Sequence, residues 1–117
     1  MRIGIVGPCA VGKTSLAKEL NDRGYQARQI VQEHSYVPQM WERISAPDVL
    51  LYLDGSYETC SRRRQLNWSE AEYQEQLARL AHAREHCDIY LATDGLSRVE
   101  VLERVLSELR YQTASRR

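Results

Sequence analysis

The residues whose types and spacing most clearly suggest a chemical function lie near the start of the chain, at positions 7–14, where the sequence reads GPCAVGKT. Gly7 and Gly12 bracket four residues and are followed at once by Lys13 and Thr14, which is the spacing GxxxxGK[ST]. Glycine permits the backbone angles of a loop that wraps an anion, and the amides at a helix start can point at that anion. In this spacing the lysine reaches the β- and γ-phosphates of a nucleotide, and the hydroxyl binds Mg²⁺. The pattern therefore predicts a phosphate-binding loop.

The sequence on either side of the glycines favours a loop that binds a ligand. A short apolar run at 3–6 predicts a buried strand before the loop, and leucines at helical spacing predict a helix from Lys13 onward. The spacing would arise by chance in well under about 1% of chains of this length. The alternative is a glycine-rich turn that binds nothing. The residues expected to contact the phosphates are Gly7, Cys9, Ala10, Val11, Gly12, Lys13, Thr14 and Ser15.

The rest of the sequence alternates between strand and helix patterns, and these elements must position the loop. Buried strands are predicted at 3–6, 25–31, 49–53 and 89–92. Helices are predicted at 13–23, 40–44, 55–63, 69–86 and 97–110, with a loop at 62–68 and an ambiguous segment at 32–47. Four alternations of strand and helix predict an α/β fold with a parallel sheet of about four strands. In such sheets, ligands bind at the carboxyl ends of the strands.

The sequence marks the start of two helices clearly. Ser69 with Glu72, and Ser97 with Glu100, each match a capping box, in which a serine and a glutamate three residues later satisfy each other's backbone amides. Apolar residues at helical spacing then predict which face of each helix is buried. These faces are expected to consist of Leu77, Leu80 and Ala81 in the first helix and of Val99, Leu102, Val105, Leu106 and Leu109 in the second.

Length and composition limit the class of protein. A chain of 117 residues with 43% hydrophobic and 27% charged residues predicts a single globular domain over 1–117, with a frayed tail at 110–117. Its apolar runs are far shorter than the roughly 18 residues of a membrane span, and the N-terminus lacks a secretory signal pattern. A net charge of zero gives no reason to expect a nucleic acid polymer as partner. Three cysteines without disulfide or metal-ligand spacing predict reduced thiols and a cytoplasmic protein.

The strand, loop and helix at the start resemble those of the P-loop kinases of small metabolites, such as adenylate, thymidylate and dephospho-coenzyme A kinases. Residues 47–54 (PDVLLYLD), with the arginines that follow, are similar to the strand and helix that lead to the family's arginine-bearing lid. Residues 87–95 (CDIYLATDG) are similar to its last strand and to the turn that often contacts adenine, here through Thr93 and Gly95. The resemblance implies a three-layer P-loop NTPase-like fold with helices on both faces of the sheet. It also implies ATP and Mg²⁺ as ligands and a small-molecule phosphoryl acceptor.

Two acidic residues are candidates for chemistry beside the loop. Glu33 follows the second strand, and if that strand lies beside the first, its carboxylate could orient a magnesium-bound water or accept a proton from an acceptor hydroxyl. The alternative for Glu33 is a solvated loop carboxylate. Asp54 ends an apolar strand and either contributes to the magnesium site or caps the turn that follows.

Arg62, Arg63 and Arg64 form the densest cluster of charge in the chain. Phosphoryl transfer spreads negative charge over several oxygens in its transition state, and arginine side chains stabilise such charge. We therefore expect at least one of the three to act in a lid, the alternative being a solvated helix end. His34 is a weaker candidate for binding the acceptor, and Cys9 places a thiol that faces solvent or ligand.

The sequence leaves three functions open. The first is a compact kinase that transfers the ATP γ-phosphoryl group to a small metabolite such as a nucleoside or nucleotide. The second is a nucleotide-dependent switch or sensor that hydrolyses ATP slowly and has no small acceptor. The third is a degenerate domain that assembles only with a partner. A GTPase is disfavoured because the chain contains no NKxD guanine motif.

The segment at 36–44 is the most apolar part of the chain without an obvious internal partner, and it predicts a homodimer interface. Its apolar residues are Tyr36, Val37, Met40, Trp41 and Ile44. The alternative is that the segment folds over its own sheet and the protein is a monomer.

Overall fold

Strands and helices alternate along the described residues, which in this computed structural model are 1–64 and 67–115, with Arg64 and Ser115 described by their backbone alone. A short 3₁₀ helix, Gln32–His34, follows the second strand. The other elements are β1 (Arg2–Val6), α1 (Lys13–Asp22), β2 (Gln26–Gln29), α2 (Met40–Ser45), β3 (Val49–Asp54), α3 (Tyr57–Arg64), α4 (Glu70–His86), β4 (Ile89–Ala92) and α5 (Arg98–Ser115).

The strands form one parallel sheet in the order β2-β1-β3-β4. β1 lies between β2 and β3, and its Ile5 aligns with Gln29 on one side and with Leu51 on the other. Because all strands run in the same direction, the segments that follow Val6, Gln29 and Asp54 lie at the same edge of the sheet. This confirms the predicted α/β fold with about four parallel strands.

Helices cover both faces of the sheet. On one face, Leu51 of β3 shares a buried cluster with Leu20 of α1 and Leu109 of α5. On the other face, Tyr52 of β3 shares a second cluster with Leu80 of α4. Neighbouring residues of a strand point to opposite faces, so the uninterrupted apolar sequence of β3 reflects its burial on both sides. Over the ranges described, none of the helices has the length and apolarity needed to cross a membrane.

The two long helices begin where the sequence predicts. The amide of Glu72 donates to the Ser69 hydroxyl at 3.1 Å, and the amide of Ser69 donates back to the Glu72 carboxylate at 3.4 Å. The same reciprocal pair joins Ser97 and Glu100, at 3.1 and 3.0 Å. Both capping boxes are confirmed, and α4 also ends at His86 as predicted.

Several predicted boundaries are wrong. β2 covers only Gln26–Gln29, and α3 continues to Arg64, so the loop predicted at 62–68 does not begin at 62; residues 65–66 lie outside the described range. Arginines stabilise the C-terminal turn of a helix through its dipole, which explains the extension of α3. α5 is helical to Ser115, beyond the residue 110 at which we expected fraying; 116–117 are not described. Its last turns gain hydrogen bonds from Gln112 to the Asp88 carbonyl and from Thr113 to a carbonyl one turn earlier.

The buried faces of the two long helices differ in part from the prediction. Ala81 of α4 and Val99 of α5 are exposed, and Leu77 is only half-buried. The face of α4 that is buried is determined instead by two residues whose polar atoms form hydrogen bonds inside the protein. Tyr73 donates to the Gly55 carbonyl at 2.7 Å, and Gln76 contacts the loop after β1. The buried face of α4 is Tyr73, Gln76, Leu80 and Ala83.

Within the segment at 36–44, Trp41 is 7% exposed and belongs to the buried cluster on the α4 face of the sheet. Its backbone amide donates to Gln32 at 2.8 Å, and its indole nitrogen donates to His82 at 3.1 Å. The expectation that Trp41 lacks an internal partner is therefore wrong, because α2 packs onto its own sheet. Tyr36 and Ile44 are exposed at 85% and 58%. Self-association through them stays a prediction.

Candidate functional site

The segment between β1 and α1 forms a strongly turned loop at the carboxyl end of the central strand. Gly7 has a φ of 157°, and a Cβ at this position would lie 2.3 Å from the carbonyl oxygen of Leu53, so only glycine fits. Gly12 has a φ of 112°, and Ala10, which carries a side chain, has a φ of 66°. Left-handed backbone at a non-glycine residue is costly and is found preferentially at functional sites.

The loop and the first turn of α1 present backbone amides that have no protein acceptor. Gly12 is the N-cap of α1, and no side chain caps this helix start. The N-terminus of a helix carries partial positive charge and binds anions through such amides. Within 1–64 and 67–115, the amides of Ala10, Gly12, Lys13, Thr14 and Ser15 donate no hydrogen bond.

Lys13 is the first residue of α1, and only 5% of its surface is exposed. Its ammonium donates to the carbonyl of Gly7 at 2.6 Å and to the carbonyl of Pro8 at 3.1 Å, which fixes the near side of the loop. A third contact, at 2.7 Å, joins Nζ to Oε2 of Glu33. The positive charge therefore lies inside the loop and is already compensated by a carboxylate.

Glu33 lies in the 3₁₀ helix that follows β2, and it reaches the loop because β2 pairs with β1. It is 3% exposed, so the alternative of a solvated loop carboxylate is wrong. Oε2 accepts from Lys13, whereas Oε1 is buried and has no hydrogen-bond partner. Buried carboxylate oxygens are normally hydrogen-bonded, so an unpaired one beside the glycine-rich loop indicates a place for a ligand.

Cys9 connects the loop to two other elements. Its amide donates to Oε1 of Gln76 on α4 at 2.9 Å, and Nε2 of Gln76 donates to the Cys9 sulfur at 3.1 Å. The sulfur also lies 3.4 Å from Nε2 of His34, which is exposed. A thiol, an imidazole and the Glu33 carboxylate are thus brought together at one side of the loop.

Arg63 of α3 also reaches the loop. Its Nη1 donates to the carbonyl of Val11 at 3.0 Å and to the hydroxyl of Thr93 at 3.1 Å, and its Nη2 donates to the Thr93 carbonyl at 3.1 Å. The buried Thr93 hydroxyl donates in turn to the carbonyl of Asp54 at 2.8 Å. Arg63 therefore links the loop after β1 to the turn after β4. The guanidinium of Arg63 therefore lies beside the loop, and it is hydrogen-bonded to protein groups.

Asp54 ends β3, and its carboxylate contacts groups on β4, on α4 and in the turn that follows β3. Oδ1 accepts from the amide of Gly55 at 2.9 Å, while Oδ2 accepts from the hydroxyl of Tyr90 and lies 4.0 Å from Arg84. These contacts favour the turn-capping alternative for Asp54 over a role in the magnesium site.

The remaining predicted residues are distributed around the same edge of the sheet. Thr14 and Arg62 are exposed, and Ser15 is half-buried. Gly95 is exposed in the turn after β4, with a φ of 77°. The Arg64 side chain lies outside the described residues. The glycine-rich loop after β1, Glu33, Arg63 and Thr93 are therefore brought together, while Asp54 is engaged elsewhere.

Sequence reasoning missed two residues of the site, Gln76 and Arg79, both on α4. Arg79 donates to the backbone carbonyl of Glu33 at 3.3 Å, and its guanidinium lies 4.5 Å above the ring of Tyr36. One signal could have identified Gln76. It lies three residues after Tyr73 and four before Leu80, so it occupies a buried helical position with a polar side chain.

Two groups near the loop have pKa values that the surrounding structure shifts. Burial raises the pKa of the Cys60 thiol to about 11, so this cysteine stays neutral at physiological pH. The backbone amide of Ser56, which donates to the Asp94 carboxylate at 3.0 Å, lowers the pKa of Asp94. Asp94 follows β4 and Ser56 precedes α3, so this hydrogen bond connects the turn after β4 to the start of α3.

No protein-family model matches this chain, and no curated protein shows significant sequence similarity to it. The function must therefore be argued from the site. A cleft of about 350 Å³ lies at the opposite edge of the sheet, lined by Arg2, Gly4 and Pro47 among others. It shares no residue with the loop.

Proposed function

We propose that the chain is a P-loop protein that binds ATP with Mg²⁺ and transfers the γ-phosphoryl group to a small-molecule acceptor. The observation that carries the proposal is the set of unpaired amides at 10 and 12–15 beside the buried ammonium of Lys13. Such amides and one fixed cation match the charge and the acceptor atoms of a polyphosphate. The resemblance to the P-loop kinases supports the same assignment.

Each part of the nucleotide complex has a counterpart in the chain. The loop amides and Lys13 would hold the phosphates, and the exposed hydroxyl of Thr14 would be a ligand of Mg²⁺. Bound Mg²⁺ supplies positive charge that offsets the charge of the phosphates. Arg63 keeps the far side of the loop in place through the Val11 carbonyl.

Glu33 is the proposed general base. Its Oε1 is buried without a partner, and it can accept the proton of an acceptor hydroxyl. When Lys13 turns to the phosphates, Oε2 is released as well, so both carboxylate oxygens are then open to an acceptor hydroxyl.

The decisive experiment measures ATP binding by calorimetry in the presence of Mg²⁺. Lys13→Ala should weaken binding at least about tenfold, since charged hydrogen bonds contribute roughly 1.5–3 kcal/mol. Lys18→Ala is the matched control, because Lys18 lies on the same helix but is exposed and pairs with Asp22. Equal ATP affinity in the unmodified protein, Lys13→Ala and Lys18→Ala would refute the phosphate-loop assignment.

A switch without an acceptor is the second candidate, and the Lys13–Glu33 pair favours it. A ligand that attracts Lys13 breaks this pair and changes the surroundings of the 3₁₀ helix, which is the kind of local change that a sensor transmits. An ADP-release assay with a panel of nucleosides, nucleotides and sugars separates the two functions. Turnover that an acceptor accelerates supports the kinase, and slow turnover that no acceptor changes supports the switch.

We also propose that the protein is cytoplasmic and forms a homodimer through the exposed residues of 36–44. The cysteines are free thiols, as a reducing compartment requires, and Tyr36 and Ile44 leave apolar surface uncovered. Sedimentation at tens of micromolar should give twice the monomer mass. A mass near 13.6 kDa, unchanged by nucleotide, would exclude the dimer.

A further inference from the structure

We propose that Cys9, Glu33 and His34 form a binding site for a zinc-class divalent cation, with one ligand atom from each residue. The three side chains can present a sulfur, a carboxylate oxygen and an imidazole nitrogen that all lie within 4.8 Å of one another. The ligand atoms of this site differ from those of the magnesium site proposed at the Thr14 hydroxyl. It is proposed for the protein without nucleotide, in which Lys13 holds Oε2 of Glu33 and Oε1 is unpaired.

The spacing of the ligand atoms fits a tetrahedral ion. Zinc binds sulfur at about 2.3 Å and nitrogen at about 2.0 Å, which places two such ligands about 3.5 Å apart. The Cys9 sulfur and Nε2 of His34 are 3.4 Å apart. Nε2 of His34 also lies 4.0 Å from Oε2 of Glu33, the carboxylate oxygen that Lys13 holds, so the Glu33 carboxylate lies close to the imidazole.

The unpaired oxygen of Glu33 is the independent sign that a ligand belongs here. Oε1 is buried and has no hydrogen-bond donor, while Oε2 stays bound to Lys13. A cation on Oε1 would satisfy this oxygen without removing the ammonium from the other. Because the Lys13 charge is close, the affinity depends on a thiolate as the second negative ligand.

The surroundings of Cys9 suit a metal-bound thiolate. Nε2 of Gln76 donates to the sulfur at 3.1 Å, and hydrogen bonds of this kind orient a ligand and stabilise its charged form. Metal binding then releases the thiol proton from the Cys9 sulfur to solvent, and the metal–sulfur bond takes its place.

The ligand types decide which ion the site prefers. A thiolate and an imidazole favour zinc and its neighbours in the transition series, whereas Mg²⁺ and Ca²⁺ require oxygen ligands. Three protein ligands leave a fourth position for water, as in zinc sites that are not purely structural.

Titration of the metal-free, reduced full-length chain with Zn²⁺, without nucleotide, tests the proposal. We expect one ion per chain, and Co²⁺ in its place should give the near-ultraviolet charge-transfer absorption of a cobalt–thiolate bond. Cys9→Ser should abolish that absorption and weaken Zn²⁺ binding at least about tenfold, and His34→Ala should weaken binding by a similar factor. Cys9 is half-buried and His34 exposed, so neither substitution removes core packing.

Cys87→Ser and His86→Ala are the matched controls, since they change a half-buried thiol and an exposed imidazole away from the loop. Both should bind Zn²⁺ as the unmodified chain does. Binding that survives Cys9→Ser, or that a control abolishes, would overturn the assignment, as would the absence of stoichiometric binding. Glu33→Gln, checked for folding by circular dichroism, should keep the cobalt–thiolate absorption but bind more weakly.

Discussion

The carboxyl ends of β2 and β3 flank the loop that follows β1, and each presents one carboxylate, yet the two carboxylates are used differently. Asp54, at the end of β3, has both oxygens engaged, by the Gly55 amide and by Tyr90. Glu33, after β2, is more deeply buried, and one of its oxygens has no partner. The two residues occupy similar places in the topology, so position at the sheet edge alone does not identify a functional carboxylate.

The difference lies in how completely each carboxylate is satisfied. A carboxylate that is fully paired by neighbouring groups stabilises the native turn and has little capacity left for a ligand. A buried carboxylate with an unpaired oxygen lowers the stability of the fold. Such a carboxylate is found where the unpaired oxygen serves a function, such as binding a ligand. By this criterion the chemistry of the site is on the β2 side of the loop.

The largest effect that would test this contrast is on turnover. Glu33→Gln removes the proposed base while keeping the size of the side chain. With the acceptor that accelerates ATP turnover, kcat should fall at least about a hundredfold. Asp54→Asn should leave kcat close to that of the unmodified protein, because its carboxylate is engaged by the Gly55 amide, by Tyr90 and by Arg84. The two variants are compared by steady-state ADP release at saturating ATP and acceptor. A larger loss in Asp54→Asn than in Glu33→Gln would reverse the assignment.

A smaller effect is expected from two arginines of α3. Arg63→Ala removes three hydrogen bonds that join the loop to the turn after β4, so the free energy of unfolding should fall by about 1–2 kcal/mol and kcat should fall with it. Arg62→Ala, at an exposed position, should lower kcat without changing the free energy of unfolding. Urea denaturation and kcat measurements on both variants check this. Equal unfolding free energies would show that the Arg63 contacts do not stabilise the loop.

The smallest effect concerns pH and the turn after β4. The folded protein holds the pKa of Asp94 below its ordinary value of 3.8, through the amide of Ser56. The stabilisation is therefore present above pH 3.8 and disappears as the pH falls through the lowered pKa. Asp94→Asn should lower Tm slightly at neutral pH, and the difference should shrink as the pH falls below 3.8. A difference in Tm that persists unchanged in acid would mean that the carboxylate charge is not responsible.

The features that sequence predicts well are those that depend on neighbouring residues in the chain. The glycine spacing, the apolar run of β3 and both capping boxes are local signals, and each corresponds to an element in the structure. Glu33 could be placed beside the loop because a parallel sheet brings the ends of adjacent strands together.

The features that sequence misses depend on packing between distant segments. Ala81 follows the helical pattern of α4 but is exposed, because Tyr73 and Gln76 find polar partners that set the phase of the helix. Trp41 has an internal partner on α4 that no local pattern reveals. The grouping of Cys9 with His34 likewise follows from strand pairing and has no metal-ligand spacing in the sequence.

The hydrogen bonds that hold the loop have a consequence for the order of folding. Cys9 is fixed by Gln76, 67 residues later, and Val11 by Arg63, 52 residues later. Contacts between such distant residues form late, because the intervening chain must first give up its conformational freedom. A nascent chain that has emerged only to the end of β3 already contains the complete glycine-rich sequence and Glu33, but neither Gln76 nor Arg63. The native conformation of the loop, and with it the proposed binding of phosphate, should therefore be among the last properties that the protein acquires as it is synthesised.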